Sequence, residues 1–422
     1  MPTYYITTLN IAIPLFVSLI LFEILYAKII DKGYVIRSMD TLSSLCSGLT
    51  NVIRDVLGLT IVIISYSYMV ENFAIFKIET SWLLYLIAFI GLDFAGYWVH
   101  RINHSVNYFW NHHIIHHSSE EFNLACALRQ SISNFFSLTF IFLIPTAIIG
   151  VPAEVITFLA PIHLFAQYWY HTRLIGKLGF LEYIIVTPSH HRVHHAINEE
   201  YLDKNLSQIF IIWDKLFGTF QEELNEVPPV YGVKRPLRSW NPILINFSHL
   251  FLLIKDAWRT KNFLDKFRIW FMPTGWRPKD VNKRYPVTSI DSPNDYKKYY
   301  PKLSLKLQIW SWIQYLLVFF FMMYFINNLH RISFYDGVLY AIFLYVSIYS
   351  LTSLMDQDSF AWIFEIGKAL LGLYFIVTYG DWFYITDYYD YATIYLMIYF
   401  IVSSLVVIYF SVYEKKLNYI PN

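Results

Sequence analysis

Runs of roughly twenty apolar residues recur along this chain, and no other feature restricts its possible folds so sharply. A bilayer core is about 30 Å thick, a helix of about 20 residues crosses it, and the spanning segment must satisfy its own backbone hydrogen bonds. Nine windows qualify, near residues 4–27, 52–70, 80–99, 134–150, 153–170, 307–328, 335–354, 361–379 and 391–412. The fourth and fifth are short and divided only by Val151 and Pro152, so they read either as two spans or as a hairpin that leaves by the face it entered. Either version returns the chain to one side. With 56% hydrophobic, 20% aromatic and only 15% charged residues, the composition is too apolar for an ordinary soluble domain. The expected fold class is all-α, a polytopic helical membrane protein. The opening MPTYYITTLNIAIPLF has neither the basic start nor the small-residue cleavage site of a signal peptide, and reads as a retained first span.

Charge sets the expected orientation. A formal net charge of +1 offers no bulk basic field for nucleic acid, which is excluded as a partner. Short loops keep lysine and arginine on the cytoplasmic side. Lys28, Lys32 and Arg37 follow the first window and place its end inside. Alternate crossings then put His100, residues 100–133 and His171 on the cytosolic side, of a bacterial inner membrane or the endoplasmic reticulum. The stretch 172–306 holds 21 of the 32 basic residues, and Lys415 and Lys416 agree with the same sidedness. Within that stretch, HLFLLIKDAWRTKNFLDKFRIWF interleaves apolar and cationic residues as an interfacial helix does, so an amphipathic cap lying on the membrane is expected. Cys46 and Cys126, far apart in unlike surroundings, read as buried thiols rather than a disulfide or a thiolate metal site.

The chemistry lies in the histidines. Twelve of fourteen fall between residues 100 and 195, most of them in three short patterns. His100 and His104, spaced i to i+4 after the third window, share one helical face. His113, His116 and His117 form His-x-x-His-His, and His191, His194 and His195 repeat it, so a near-helical segment can reach two metals from one side. Imidazole suits iron, copper, zinc or nickel, whereas magnesium and calcium demand oxygen ligands. Eight box histidines exceed the needs of one ion. Two metal ions are expected, iron first among them, each with about four nitrogen ligands and open positions for O2 and substrate. His171, after the fifth window, is a candidate ninth ligand, while His163 and His249, single on apolar faces, read as satisfied core residues. The zinc-protease pattern His-Glu-x-x-His is absent, and haem would need two axial histidines rather than clusters. Boxes embedded in apolar sequence at span ends bring metal to a lipid's carbon, which points to lipid oxidation.

Several neighbours are candidates for supporting the boxes. Asp93 lies two turns before His100 on roughly the same face, and as an intramembrane carboxylate is expected to orient a ligand histidine. His112, His190, Glu120, Glu121 and Asn123 are candidates for hydrogen bonds behind the ligands, with Arg129 and Gln130 close by. Trp98, Tyr108, Trp110, Trp169 and Tyr170 either wall a water-excluding pocket or anchor the interface. Glu365 and Lys368, i to i+3 in the eighth window, read as a charge pair inside the bundle, and Trp213, Asp214 and Gly218 of WDKLFGTF as a tight cap after the last box.

The order of these boxes at helix ends resembles the fatty acid hydroxylase and sterol desaturase superfamily. Within it, YWVHRINHSVNYFWNHHIIHHSSEEFNLACALRQS and TPSHHRVHHAINEEYLDKNLSQIFIIWDKLFGTF are similar to the glyceryl-ether monooxygenase branch, over about residues 80–280. The resemblance implies a diiron centre at the cytosolic mouth of a helical membrane fold, with His100, His104, His113, His116, His117, His191, His194 and His195 as ligands. It further implies hydroxylation of the ether-bearing carbon of an alkylglycerol by O2, the hemiacetal then falling apart to fatty aldehyde and glycerol. Tetrahydrobiopterin is the implied reductant; otherwise a ferredoxin or cytochrome would supply electrons. An acidic residue is expected after the first box, where Ser105 stands, a departure that bears on substrate or pterin preference rather than on the metals. On this reading, residues 1–79 are N-terminal transmembrane helices, 80–306 a fatty acid hydroxylase-like catalytic domain and 307–422 C-terminal transmembrane helices. Two other readings stand beside it: a sterol, fatty acyl or carotenoid hydroxylase or desaturase with the same centre, and a membrane metal- or lipid-binding protein without turnover.

Overall fold

The computed structural model describes residues 3–30, 32–58, 65–79, 81–134 and 139–414. Its helices are α1 (Thr3–Ile29), α2 (Ser38–Val56), α3 (Tyr66–Phe73), α4 (Trp82–Ser105), α5 (Asn107–Trp110), α6 (Ile114–His117), α7 (Thr139–Ile149), α8 (Ala153–Phe165), α9 (Pro188–His194) and α10 (Ile212–Phe217). There follow α11 (Pro242–Arg259), α12 (Phe263–Arg268), α13 (Lys279–Arg284), α14 (Leu305–Asn328), α15 (Phe334–Met355), α16 (Ala361–Tyr379) and α17 (Ala392–Ile408). Among the described residues no strand forms, only isolated bridges such as Val106 with Pro273. Among the described residues six helices are long and apolar enough to cross a membrane: α1, α4, α14, α15, α16 and α17 with the turn that continues it. The chain is an integral, multi-pass membrane protein.

The molecule has two ends. At one, Asn10 of α1 hydrogen-bonds Asn327 near the end of α14. At the other, the Glu23 carboxylate accepts from the Leu124 N–H and the Thr172 hydroxyl, and Asn123 donates to the Val35 carbonyl. Leu307, Leu354, Ala361, Val407 and Phe410 pack together there, so α14 and α16 begin where α15 and α17 finish. The segment after α1, with Arg37 paired to Glu121, therefore shares an end with the histidine boxes.

One of the expected spans is corrected. The window 52–70 is not one helix: α2 begins at Ser38, ends at Val56, and is followed by Gly58 in left-handed conformation before the separate α3. Residues 59–64 of that window lie outside the described residues. The reason is that α2 is enclosed by protein, against α11, α14 and α15, so it tolerates the buried polar residues Asp40, Thr41, Ser43, Ser44, Ser47 and Thr50 that a lipid-facing helix would exclude. Within 134–170 the chain forms two short antiparallel helices. Helices α7 and α8 have 11 and 13 residues, about 16 and 20 Å at 1.5 Å per residue, and both pack on α4. Trp98 stacks on Phe142 and Asp93 meets His163, while the Gly150 turn reaches Ile75 and Phe76 ahead of the start of α4, so the pair runs along α4 from near its His100 end to its opposite end, a course that both readings share. Residues 135–138, ahead of α7, lie outside the described residues.

Candidate metal centre

Each box lies on a short, separately anchored element. His100 and His104 occupy the last turns of α4, and His116 and His117 end the one-turn α6, with His113 just before it. His191 and His194 lie on α9, His195 closes it, and His171 follows α8. Their imidazole nitrogens converge in two groups: His100, His104, His113, His117 and His194 in one, His116, His171, His191 and His195 in the other, each with its candidate atoms within 4.8 Å of one another. Both His-x-x-His-His boxes divide between the groups. His113 and His117 go to the first and His116 to the second, while His194 goes to the first and His191 and His195 to the second.

Hydrogen bonding fixes which nitrogen each ring offers. Nδ1 of His100 faces the Leu206 carbonyl at 2.7 Å, of His116 the Arg129 carbonyl at 3.2 Å, of His171 the Gln167 carbonyl at 3.0 Å, and of His194 the Lys204 carbonyl at 3.0 Å. A carbonyl only accepts, so these Nδ1 atoms carry the hydrogen and each neutral ring presents Nε2 as a bare lone pair. The Nε2 atoms of His116 and His171 then face each other 3.4 Å apart with no hydrogen between them, and the Nε2 atoms of His104, His117 and His194 are buried without a partner. Protonation does not fill the gap. Burial, reinforced by neighbouring imidazoles, holds His113, His117, His171, His191, His194 and His195 well below the usual imidazole range and His116 down to about 3. Each group could hold a metal ion at these lone pairs, and an all-nitrogen donor set is one that iron accepts.

Aromatic rings close the site. Trp110 lies 5.2 Å from His104 and 5.5 Å from His117, Tyr170 lies 4.3 Å from His191, and Phe122 lies 5.1 Å from His195 with Tyr231 stacked behind it.

Known proteins resemble this chain in sequence. A family model described as fatty acid hydroxylase matches residues 85–219, the stretch that holds all nine clustered histidines. Alkylglycerol monooxygenase of Homo sapiens is 36% identical over 369 residues, covering 86% of this chain and 81% of the relative. The Danio rerio protein of the same name is 32% identical over 369 residues, covering 86% and 80%. The chain belongs to the alkylglycerol monooxygenase family. It is accordingly an oxidoreductase, a membrane lipid monooxygenase. Ornithine lipid hydroxylase of Rhizobium tropici is 29% identical over 129 residues, covering 30% of this chain and 39% of that protein. No solved structure matches the chain.

In this alkylglycerol monooxygenase family member, the residues expected behind the boxes mostly do other work. Asp93 touches no box histidine: its carboxylate takes His163 Nε2, the Ile209 and Phe210 N–H groups and the Trp213 indole, pinning α8 and the 209–213 turn to α4. Glu120 accepts from the Tyr296 hydroxyl and the Tyr299 N–H, Glu121 pairs with Lys298 and Arg37, and Asn123 caps the turn Leu124–Leu128. These three tie the box segment to residues 35–37 and 296–299, not to a ring. His112 packs between Tyr108 and Phe109 and lies in neither group, and His190 accepts from the Thr187 N–H at the start of α9. Trp98 packs on Phe142 and Phe217, and Trp169 is partly exposed, so among the five aromatics only Trp110 and Tyr170 wall the cluster. His249 is satisfied by the Asn107 carbonyl. Sequence reasoning missed Asp203, whose carboxylate meets His104 Nδ1 at 3.0 Å, and the carbonyls of Lys204, Leu206 and Arg129. It also missed Phe122 and Tyr231, which carry no spacing signal.

Proposed function

We propose that this protein hydroxylates the ether-bearing carbon of an alkylglycerol with O2 at two iron ions held by His100, His104, His113, His116, His117, His171, His191, His194 and His195. The observation that carries the reading is the convergence of nine imidazoles into two adjoining groups, with the Nε2 atoms of His104, His117 and His194 buried without a partner, at the end of the helices where a lipid's polar head would lie. One oxygen atom enters the C–H bond as hydroxyl and the other leaves as water, consuming two electrons and two protons. A carbon that bears both the new hydroxyl and the ether oxygen is a hemiacetal, which collapses to fatty aldehyde and glycerol. Bound iron supplies the activation of oxygen that C–H cleavage demands. The chain's own contribution is placement and dryness: the boxes fix the reacting position against α4, and Trp110, Phe122, Tyr170 and Tyr231 keep water from it. Tetrahydrobiopterin is the reductant we favour, with a ferredoxin or cytochrome as the other source.

We place the histidines on the cytosolic side of a bacterial inner membrane or the endoplasmic reticulum, because Lys28, Lys32 and Arg37 share their end of the molecule. Helices α11 and α12 form the amphipathic cap: Trp258 (86% exposed), Phe263, Leu264, Phe267 and Phe271 stand out among Lys255, Lys261 and Lys266, as a surface resting on a leaflet requires.

The test is product analysis on the full chain in lipid nanodiscs with iron, O2, tetrahydrobiopterin and an alkylglycerol. Fatty aldehyde is expected, and His116→Ala is expected to lower its formation by more than the roughly 10–100-fold typical of a residue behind a ligand. No aldehyde, alongside oxygen consumption driven by an ornithine lipid, would instead favour hydroxylation of another lipid carbon, the reading the similarity to the Rhizobium tropici hydroxylase supports.

A further inference from the structure

Three of the five rings in the larger group are backed by one short stretch of chain. His104 Nδ1 meets the Asp203 carboxylate at 3.0 Å, His194 Nδ1 the Lys204 carbonyl at 3.0 Å, and His100 Nδ1 the Leu206 carbonyl at 2.7 Å. The smaller group has no such common support. His116 and His171 are backed from residues 129 and 167, and His191 Nδ1 is buried without a partner.

The stretch is itself held in an uncommon shape. Asp203 and Asn205 both adopt the left-handed region, with φ of 55° and 52°, which side chains other than glycine enter at a steric cost that Asn and Asp bear best. Two fully buried residues keep it there. The Asn205 amide donates to the His190 and Gln221 carbonyls at 3.1 and 2.7 Å, and its oxygen accepts from the Gln221 N–H at 2.9 Å. The Asp214 carboxylate accepts from the Leu206 and Ser207 N–H groups at 2.7 and 2.8 Å and from the Thr219 hydroxyl at 2.6 Å. The WDKLFGTF segment thus does more than close the helix after the last box; it sets the backbone that faces three rings.

We propose that residues 203–206 are a positioning strap that fixes the Nδ1–H tautomer and the ring direction of His100, His104 and His194, with Asn205 and Asp214 acting through it. The inference rests on the reading that these rings hold metal. An acceptor behind an imidazole decides which nitrogen offers its lone pair and makes that nitrogen a better donor, and its loss lowers metal affinity about 10- to 100-fold. Asp203 is the informative member because its own side chain is the acceptor, at the protein surface, where replacement leaves the packing intact.

The experiment compares wild type, Asp203→Ala and Asp203→Asn, each as the full chain in detergent, stripped of metal and titrated with cobalt(II) under a competing chelator, with ligand-field absorption read alongside metal content. Wild type is expected to hold two ions. Asp203→Ala is expected to hold one of them about 10- to 100-fold more weakly, with a changed absorption band for that ion and only a small fall in the melting temperature of the metal-free protein, since alanine bears φ of 55° less well than Asp or Asn. Asp203→Asn, which keeps an acceptor oxygen behind His104, is expected to stay close to wild type. Unchanged affinity in Asp203→Ala, equal weakening by both variants, or weakening shared by both ions overturns the strap. A wild-type protein that binds no cobalt overturns the metal reading itself.

Discussion

Asp356, just past α15, is a carboxylate whose burial raises its pKa to about 6, although it accepts from the Ser239 hydroxyl, the Trp240 N–H and the Tyr299 hydroxyl. A raised folded-state value means that the folded protein binds this proton more tightly than the unfolded chain does. The group's stabilising contribution is therefore full below the ordinary Asp range and is lost as pH rises through about 6. Relative to wild type, Asp356→Asn is expected to gain thermal stability as pH rises from 5 to 7.5, measured by melting in detergent at both values; a difference between the two proteins that does not change with pH would refute this. At this scale the clustered histidines were legible and the groups behind them were not. Imidazole side chains at fixed spacings announce themselves, whereas the carbonyls of Lys204, Leu206 and Arg129 belong to a backbone every residue has. Asp93 shows the opposite error: its helical position under His100 was read correctly, but the fold brings His163 and residues 209–213 onto it first.

Among the elements, the α7–α8 hairpin depends on one residue. Gly150 has φ of 93°, and a Cβ there would strike the Phe76 carbonyl oxygen, a backbone atom with no room to give. Gly150→Ala is expected to cost at least the 1–3 kcal/mol or so of a strained backbone position, seen as a lower melting temperature, with protease cleavage of the hairpin as the second readout. A variant as stable as wild type would mean that the turn is not held as described. Hydropathy found α1, α4 and α14–α17 because each carries an unbroken apolar run long enough to cross a membrane. It misplaced the second span because α2 faces protein, where Asp40 can pair with Arg129 and apolarity is no longer required. Hairpin and span were likewise indistinguishable in sequence, since two short apolar runs around a Gly-Val-Pro turn satisfy either path.

Across the whole molecule, the four C-terminal helices enclose the buried pair Glu365–Lys368, bonded further to Ser350, Ser403, Gln314 and Tyr399. Removing one charge strands the other away from water. Glu365→Gln is expected to destabilise the protein by about 3–5 kcal/mol, while replacing both, as Glu365→Gln with Lys368→Met, is expected to restore most of it. Melting of the single and double variants checks this, and additive losses would show that the two side chains do not act as a pair. The division of the molecule into two ends has a further consequence. On the proposed reading that the boxes hold metal, the long helices are complete in themselves, whereas the buried Nε2 atoms of His104, His117 and His194 at one end have no partner until a cation supplies one. Insertion into the bilayer and closure of that end are therefore separate events in the life of the chain.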